Sequence, residues 1–201
     1  MPKIDQITQL INTSIQTNVL NTSRYQGGKY YNVVELIKTK DADKGTEIFY
    51  PVVIDNEGEG TSVIVNDNYP IQIYHRILSL NYEQPAPLDN FGDENQMIKE
   101  TASMTMVIIS DRHVIQVMGE DLLALIAVNL PGKIAQINLS TLGLYSVNIF
   151  AQGEAIIESE IVYNREYNIG EYLLKPNSIM YSLAYTIITA FDKKCFPSCI
   201  I

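Results

Sequence analysis

Apolar positions recur along this chain first with helical and then with strand spacing. Ile4, Ile7, Leu10, Ile11, Ile15 and Leu20 share one face while Gln, Asn and Thr fill the other, which predicts an amphipathic helix over about residues 3–20. Many of those polar residues are weak helix formers, so the helix is expected to need docking onto other parts of the chain. After Gln26-Gly27-Gly28 the period changes: Tyr30–Lys40 and Thr46–Ile54 read as two β-rich runs joined at Asp41-Ala42-Asp43-Lys44-Gly45, a hairpin. Asn56-Glu57-Gly58-Glu59-Gly60 is a second turn leading into Thr61–Val65. Residues 41–65 are therefore expected to form a projecting hairpin region.

Ile71–Leu80 predicts a further strand with Ile71, Ile73 and Ile77 on one face. Residues 83–99 hold prolines, a glycine, Glu83, Asp89, Asp93 and Glu94 with few large apolar side chains, the composition of a long polar loop. Such a loop and the 41–65 hairpin would serve as arms between subunits. Thr101–Ile109 alternates and then turns continuously apolar, as a central strand does. Gly119–Leu130 opens with acids and stops at Pro131-Gly132, which predicts a buried helix. Tyr145–Ala151 and Met180–Phe191 are the later strands, and residues 153–175 fit helix and strand equally. The order predicts one α+β domain over residues 1–201. Its mainly antiparallel sheet is flanked by the N-terminal helix and a second helix near 119–130, with an extended hairpin and a long loop.

Composition changes the picture at three points. Hydrophobic residues make up 46% and charged residues 18%, so Asn, Gln, Ser, Thr and Tyr must cover much of the surface. Thirteen Tyr against five Phe and no Trp suit contact with other protein, although a polar, low-GC composition gives the same counts. A net charge of −9 lacks the basic stripe that neutralises phosphates, yet an acidic wall lets DNA pass without adhering. Met1-Pro2-Lys3-Ile4-Asp5 is not a signal peptide and no apolar run is long enough to span a bilayer, which predicts a soluble chain made in the cytosol.

Candidate chemistry is sparse. Gly27-Gly28-Lys29 is followed by Tyr30-Tyr31 rather than by a helix opening with Ser or Thr, so it does not read as a phosphate loop. Cys195 and Cys199 read as unpaired thiols in a C-terminal tail, with a local disulfide or a shared metal as the other reading. His75 shares the face of Ile71 and Ile73, which predicts a satisfied, partly buried imidazole. Asp111, Arg112 and His113 stand just past a strand end, where such a cluster builds a turn or, as the one concrete enzyme alternative, an active site. Glu57 with Glu59, Asp89 with Asp93 and Glu94, and Glu154 with Glu158 and Glu160 have no calcium-loop spacing and read as solvated charge. No catalytic, cofactor-binding or metal-ligating residue is assigned, and the chain is expected not to be an enzyme.

The leading helix, the extended hairpin region, strand Thr101–Ile109 followed by the helix around Glu120–Leu130, and the closing Phe191-Asp192-Lys193-Lys194-Cys195-Phe196-Pro197-Ser198-Cys199 form a recognisable order. In that order the chain resembles the neck and tail-terminator-type ring subunits of tailed bacteriophages, especially crAss-like phages of Bacteroidetes. The resemblance implies a structural virion protein without cofactor or membrane, assembled in the host cytoplasm as a homo-oligomeric ring. It also implies partners among the other neck, portal and tail proteins, and passage of DNA without specific binding. The alternative is an extracellular binding module, a fibre or adhesin domain that recognises glycan or protein through its tyrosines.

Overall fold

The computed structural model describes residues 2–21, 25–40, 44–54, 60–63, 68–84, 97–113, 119–131, 144–168 and 177–192. They form an α+β fold. Helix α1 (Pro2–Asn18) leads into β1 (Lys29–Val33), β2 (Glu35–Lys40), β3 (Glu47–Ile54) and β4 (Gly60–Ser62). The long strands β5 (Ile71–Glu83) and β6 (Met97–Asp111) follow, then α2 (Gly119–Asn129), β7 (Leu144–Ile156), α3 (Ser159–Glu166) and β8 (Ser178–Asp192). The main sheet has the order β1-β5-β6-β8-β7, and β2-β3-β4 make a second, smaller sheet. All pairings are antiparallel except β1 with β5.

Alternation along the long strands gives the main sheet two apolar faces. Ile71, Ile73, Met104, Met106, Ile108, Leu183, Ile187 and Ile149 meet α1 and α2 on one side. Tyr74, Val107, Ile109 and Met180 meet α3 and the small sheet on the other. The molecule is thus three layers deep, with the main sheet in the middle. Ile4, Ile7, Ile11 and Ile15 of α1 are all buried, each stabilising the docked helix by about 1.5–3 kcal/mol relative to exposure. That outweighs the helix propensity lost at each Asn, Thr and Ser, at most about 0.7 kcal/mol apiece. At the break before β1, Gly27 has φ 82°, and a Cβ on Gly28 would stand 2.8 Å from Ile71 Cγ2.

Three predicted boundaries move. Tyr30–Lys40 is not one run: it changes sheets at the buried Val34, where β1 ends beside β5 and β2 begins beside β3. The expected 83–99 loop loses both ends to strand, because β5 continues to Glu83 and β6 starts at Met97. Polar residues pair across that part of the sheet, with Lys99 Nζ 3.1 Å from Glu83 Oε1 and Tyr82 opposite Glu100. Residues 85–96 of that segment lie outside the described residues. Within 153–175 both readings occur in turn: β7 runs on to Ile156 and α3 then buries Val162, Tyr163 and Glu166. β2 and β3 pair antiparallel as the two arms of the expected hairpin, β4 pairs on the other side of β3, and Val52 and Val63 are buried; residues 41–43, 55–59, 64 and 65 of the 41–65 region lie outside the described residues.

Candidate functional site

Two buried polar clusters lock the layers to the sheet. On the α1 side, Asn12 Nδ2 donates to the Tyr31 carbonyl at 2.9 Å, which leaves Asn12 Oδ1 as the atom 2.9 Å from His75 Nε2. A carbonyl only accepts, so this assigns the proton of His75 to Nε2 and makes Nδ1 the acceptor of the Tyr185 hydroxyl at 2.8 Å. His75 is fully buried, and loss of hydration pushes its pKa down to about 3. Burial likewise pushes the Tyr185 hydroxyl well above its usual range. Asp5 extends the contact, accepting from the Val33 amide at 3.1 Å and from Asn32 Nδ2 at 3.2 Å, while Ser14 Oγ donates to the Asn129 carbonyl of α2 at 3.2 Å. The polar face of α1 therefore covers β1 as well as facing water.

On the opposite face, Glu166 is completely buried at the end of α3. Arg76 Nη1 of β5 donates to its Oε2 at 3.0 Å, Arg165 Nε donates to its Oε1 at 2.8 Å, and the Tyr74 hydroxyl lies 3.3 Å from Oε2. Burial, the neighbouring Tyr167 and the Glu166 charge push Tyr74 well above the ordinary phenol range. Tyr167 stacks on Tyr163 at 5.0 Å and donates to the Val63 carbonyl at 2.8 Å, joining α3 to the end of β4. Charge is thus buried here only where two guanidinium groups and a phenol meet one carboxylate.

The edges of the main sheet are treated unequally. β1 pairs with β5 only as far as Val33 opposite His75, with the Val34 amide adding one bond to the His75 carbonyl. Beyond that point, among the described residues, β5 has a partner on its β6 side alone. This outer stretch begins at a bulge, where Leu78 is the extra residue between Ile77 and Ser79, and then runs regularly to Glu83. Leu78 is 50% and Tyr82 49% exposed. At the far end of the sheet β7 is the other edge, regular from Ser146 to Ala151. It carries no charge in that stretch. Phe150 is exposed on it, and beside it lies an apolar groove of about 380 Å³ lined by Leu123, Ala124, Ala127, Ala155, Ile157 and Leu183. The outward face of α2 is apolar too, with Val128 83% and Leu125 48% exposed. Open strand edges without charge are templates for pairing with another chain.

No family model and no curated protein matches this chain.

The residues singled out in the sequence fall in separate places. His75 sits at the centre of the α1 cluster, with both ring nitrogens engaged and no surface exposed. Asp111 and His113 form a turn in which Asp111 Oδ1 accepts the His113 amide at 2.8 Å, and the Arg112 amide donates to the Asn177 carbonyl at 2.7 Å. Glu158 is the residue before α3 and makes no side-chain cap, and Glu160 is exposed in its first turn. Glu154 lies in the irregular part of β7. Glu57, Glu59, Asp89, Asp93, Glu94, Cys195 and Cys199 lie outside the described residues. Gly27 and Gly28 line a small cleft of about 240 Å³ with Gln16, Asn21, Tyr25 and Tyr30, where burial and the neighbouring Tyr25 push Tyr30 up to about 12. Glu166, Arg76 and Asn12 carry no motif. The available signal was Arg76 as the one charged residue between Ile71 and Tyr82, and a Glu within a tyrosine-rich stretch.

Proposed function

We propose that the chain is a structural subunit of a homo-oligomeric ring in the neck or tail of a tailed phage, acting without catalysis or cofactor. The observation that carries this reading is the main sheet, in which, among the described residues, the outer half of β5 and the outer side of β7 have no strand beside them and exposed apolar side chains lie nearby. An edge of that kind is a liability in a monomer and an asset in an assembly. The net charge of −9 supports the second half of the reading, because a wall of like charge lets a DNA duplex move through a channel without holding it. Neighbouring neck, portal and tail proteins complete the assembly in the virion.

Native mass measurement and negative-stain imaging of the purified chain test this directly. A closed ring of several identical copies is the expected result, and a monomer at every concentration contradicts it. Portal and capsid genes beside the coding sequence are expected for the viral part, and a neighbourhood without virion genes counts against it.

The tyrosine-lined cleft at Tyr25 and Tyr30 favours a second reading, a module that binds glycan. Its volume lies just below the usual range for small-molecule sites, about 300–1,000 Å³. Binding on a glycan array by a monomeric chain would establish that reading in place of the first.

A further inference from the structure

We infer that the two open edges are partners of each other: the outer stretch of β5 in one copy pairs antiparallel with β7 of the next, extending the main sheet across the subunit boundary. The inference rests on the assembly reading and names its contact. Strand direction supports it. β5, β6, β8 and β7 alternate in direction across the sheet, so β7 runs opposite to β5, and a second copy placed edge to edge continues the alternation. Length supports it as well, since Ser79–Glu83 and Ser146–Ala151 are regular stretches of similar extent.

Charge is the third argument. Strands meant to stay solitary carry inward charges or lysines, yet the only charged residue of Ile77–Glu83 is Glu83, already paired with Lys99, and Ser146–Ala151 has none. The fourth is the distribution of exposed apolar surface. Leu78 and Tyr82 belong to the β5 edge, while Phe150, Ile157 and the groove that Ala124 and Ala127 of α2 line with Ala155 belong to the β7 edge, so each edge brings apolar side chains to the contact. β1 occupies only the first half of the outer side of β5, and among the described residues no strand takes the second half, where the incoming strand fits. The two surfaces differ, so the contact is head-to-tail; such a contact closes into a ring when its rotation permits.

The test uses two full-length variants. Leu78→Lys/Tyr82→Lys disables the β5 edge and Phe150→Lys the β7 edge, all at exposed positions, with circular dichroism confirming that each variant folds. Each alone is expected to be monomeric where the parent chain assembles. Mixed in equal amounts, they retain one good edge of each kind and are expected to form a heterodimer and nothing larger. If the parent assembles and both variants still assemble normally, the edge pairing is wrong while the ring reading stands. Retained homodimers of the β5 variant, pairing β7 with β7, overturn the inference in the same way. A parent that stays monomeric at all concentrations overturns the ring reading beneath it. Open fibres sensitive to both substitutions support the edge pairing and contradict closure.

Discussion

The two halves of β5 are continuous in backbone and opposite in character. From Ile71 to His75 the strand is buried at every position, paired with β1 on one side and β6 on the other, and fixed by the imidazole cluster. From Ile77 to Glu83 it is mostly exposed and paired on one side only among the described residues. The first half is buried and held on both sides by strands of its own chain, so it specifies the fold. The second half has, among the described residues, no strand on its outer side, and Leu78 stands half exposed there, so a partner copy can pair with it. Substitutions in the first half should therefore act on stability, and those in the second on association.

The largest effect is expected at the cluster joining the first half to α3. Glu166→Ala removes the buried carboxylate that holds Arg76, 14% exposed, and Arg165, 33% exposed; partial hydration of the two guanidinium groups puts the loss at the low end of that for a buried pair, about 3 kcal/mol, read from the midpoint of urea unfolding. Next comes the α1 side. Asn12→Ala leaves the Tyr31 carbonyl and the His75 Nε2–H without their partner, a loss of about 1–3 kcal/mol in the same assay.

The pH dependence sharpens the same point. Folded His75 stays neutral down to about 3, whereas the unfolded chain takes up a proton near 6.5. Its folded pKa is depressed, so the unfolded state binds more protons between those values. The stability is full above pH 6.5 and is lost as pH falls through that window, by about 1.4 kcal/mol per pH unit. Unfolding of the parent and of His75→Phe should diverge in slope by that amount below pH 6; parallel slopes would show that His75 is not buried neutral. The smallest stability effect belongs to the second half, where Leu78→Lys/Tyr82→Lys should shift the unfolding free energy by no more than about 0.5 kcal/mol per substitution in the monomer.

The same division explains what was legible in the sequence. The α1 isoleucines, the alternation of Thr101–Ile109 and Met180–Phe191, and the acid-first apolar helix at 119–130 mark elements that bury one periodic face, and periodicity survives without knowledge of partners. Glu83 and Lys99 read as loop because polar strand residues are recognised only through the residues opposite them. The change of sheet at Val34 falls inside a β-rich run, Tyr30–Lys40, with no glycine or proline to mark it. Glu166 escaped for the complementary reason: a glutamate is ordinarily at the surface, and its partners Tyr74 and Arg76 come from β5, far away in sequence. The edges themselves have no sequence signature beyond missing charge, since an edge is defined by which strand is not beside it.

Amide hydrogen exchange measured across a dilution series tests the contrast between the two halves most directly. Ile71–His75 should be protected at every concentration, while protection at Ile77–Glu83 and Ser146–Ala151 should rise together as the chain assembles. An assembled chain in which both edge stretches exchange as fast as in the monomer would contradict the assignment of the second half to association.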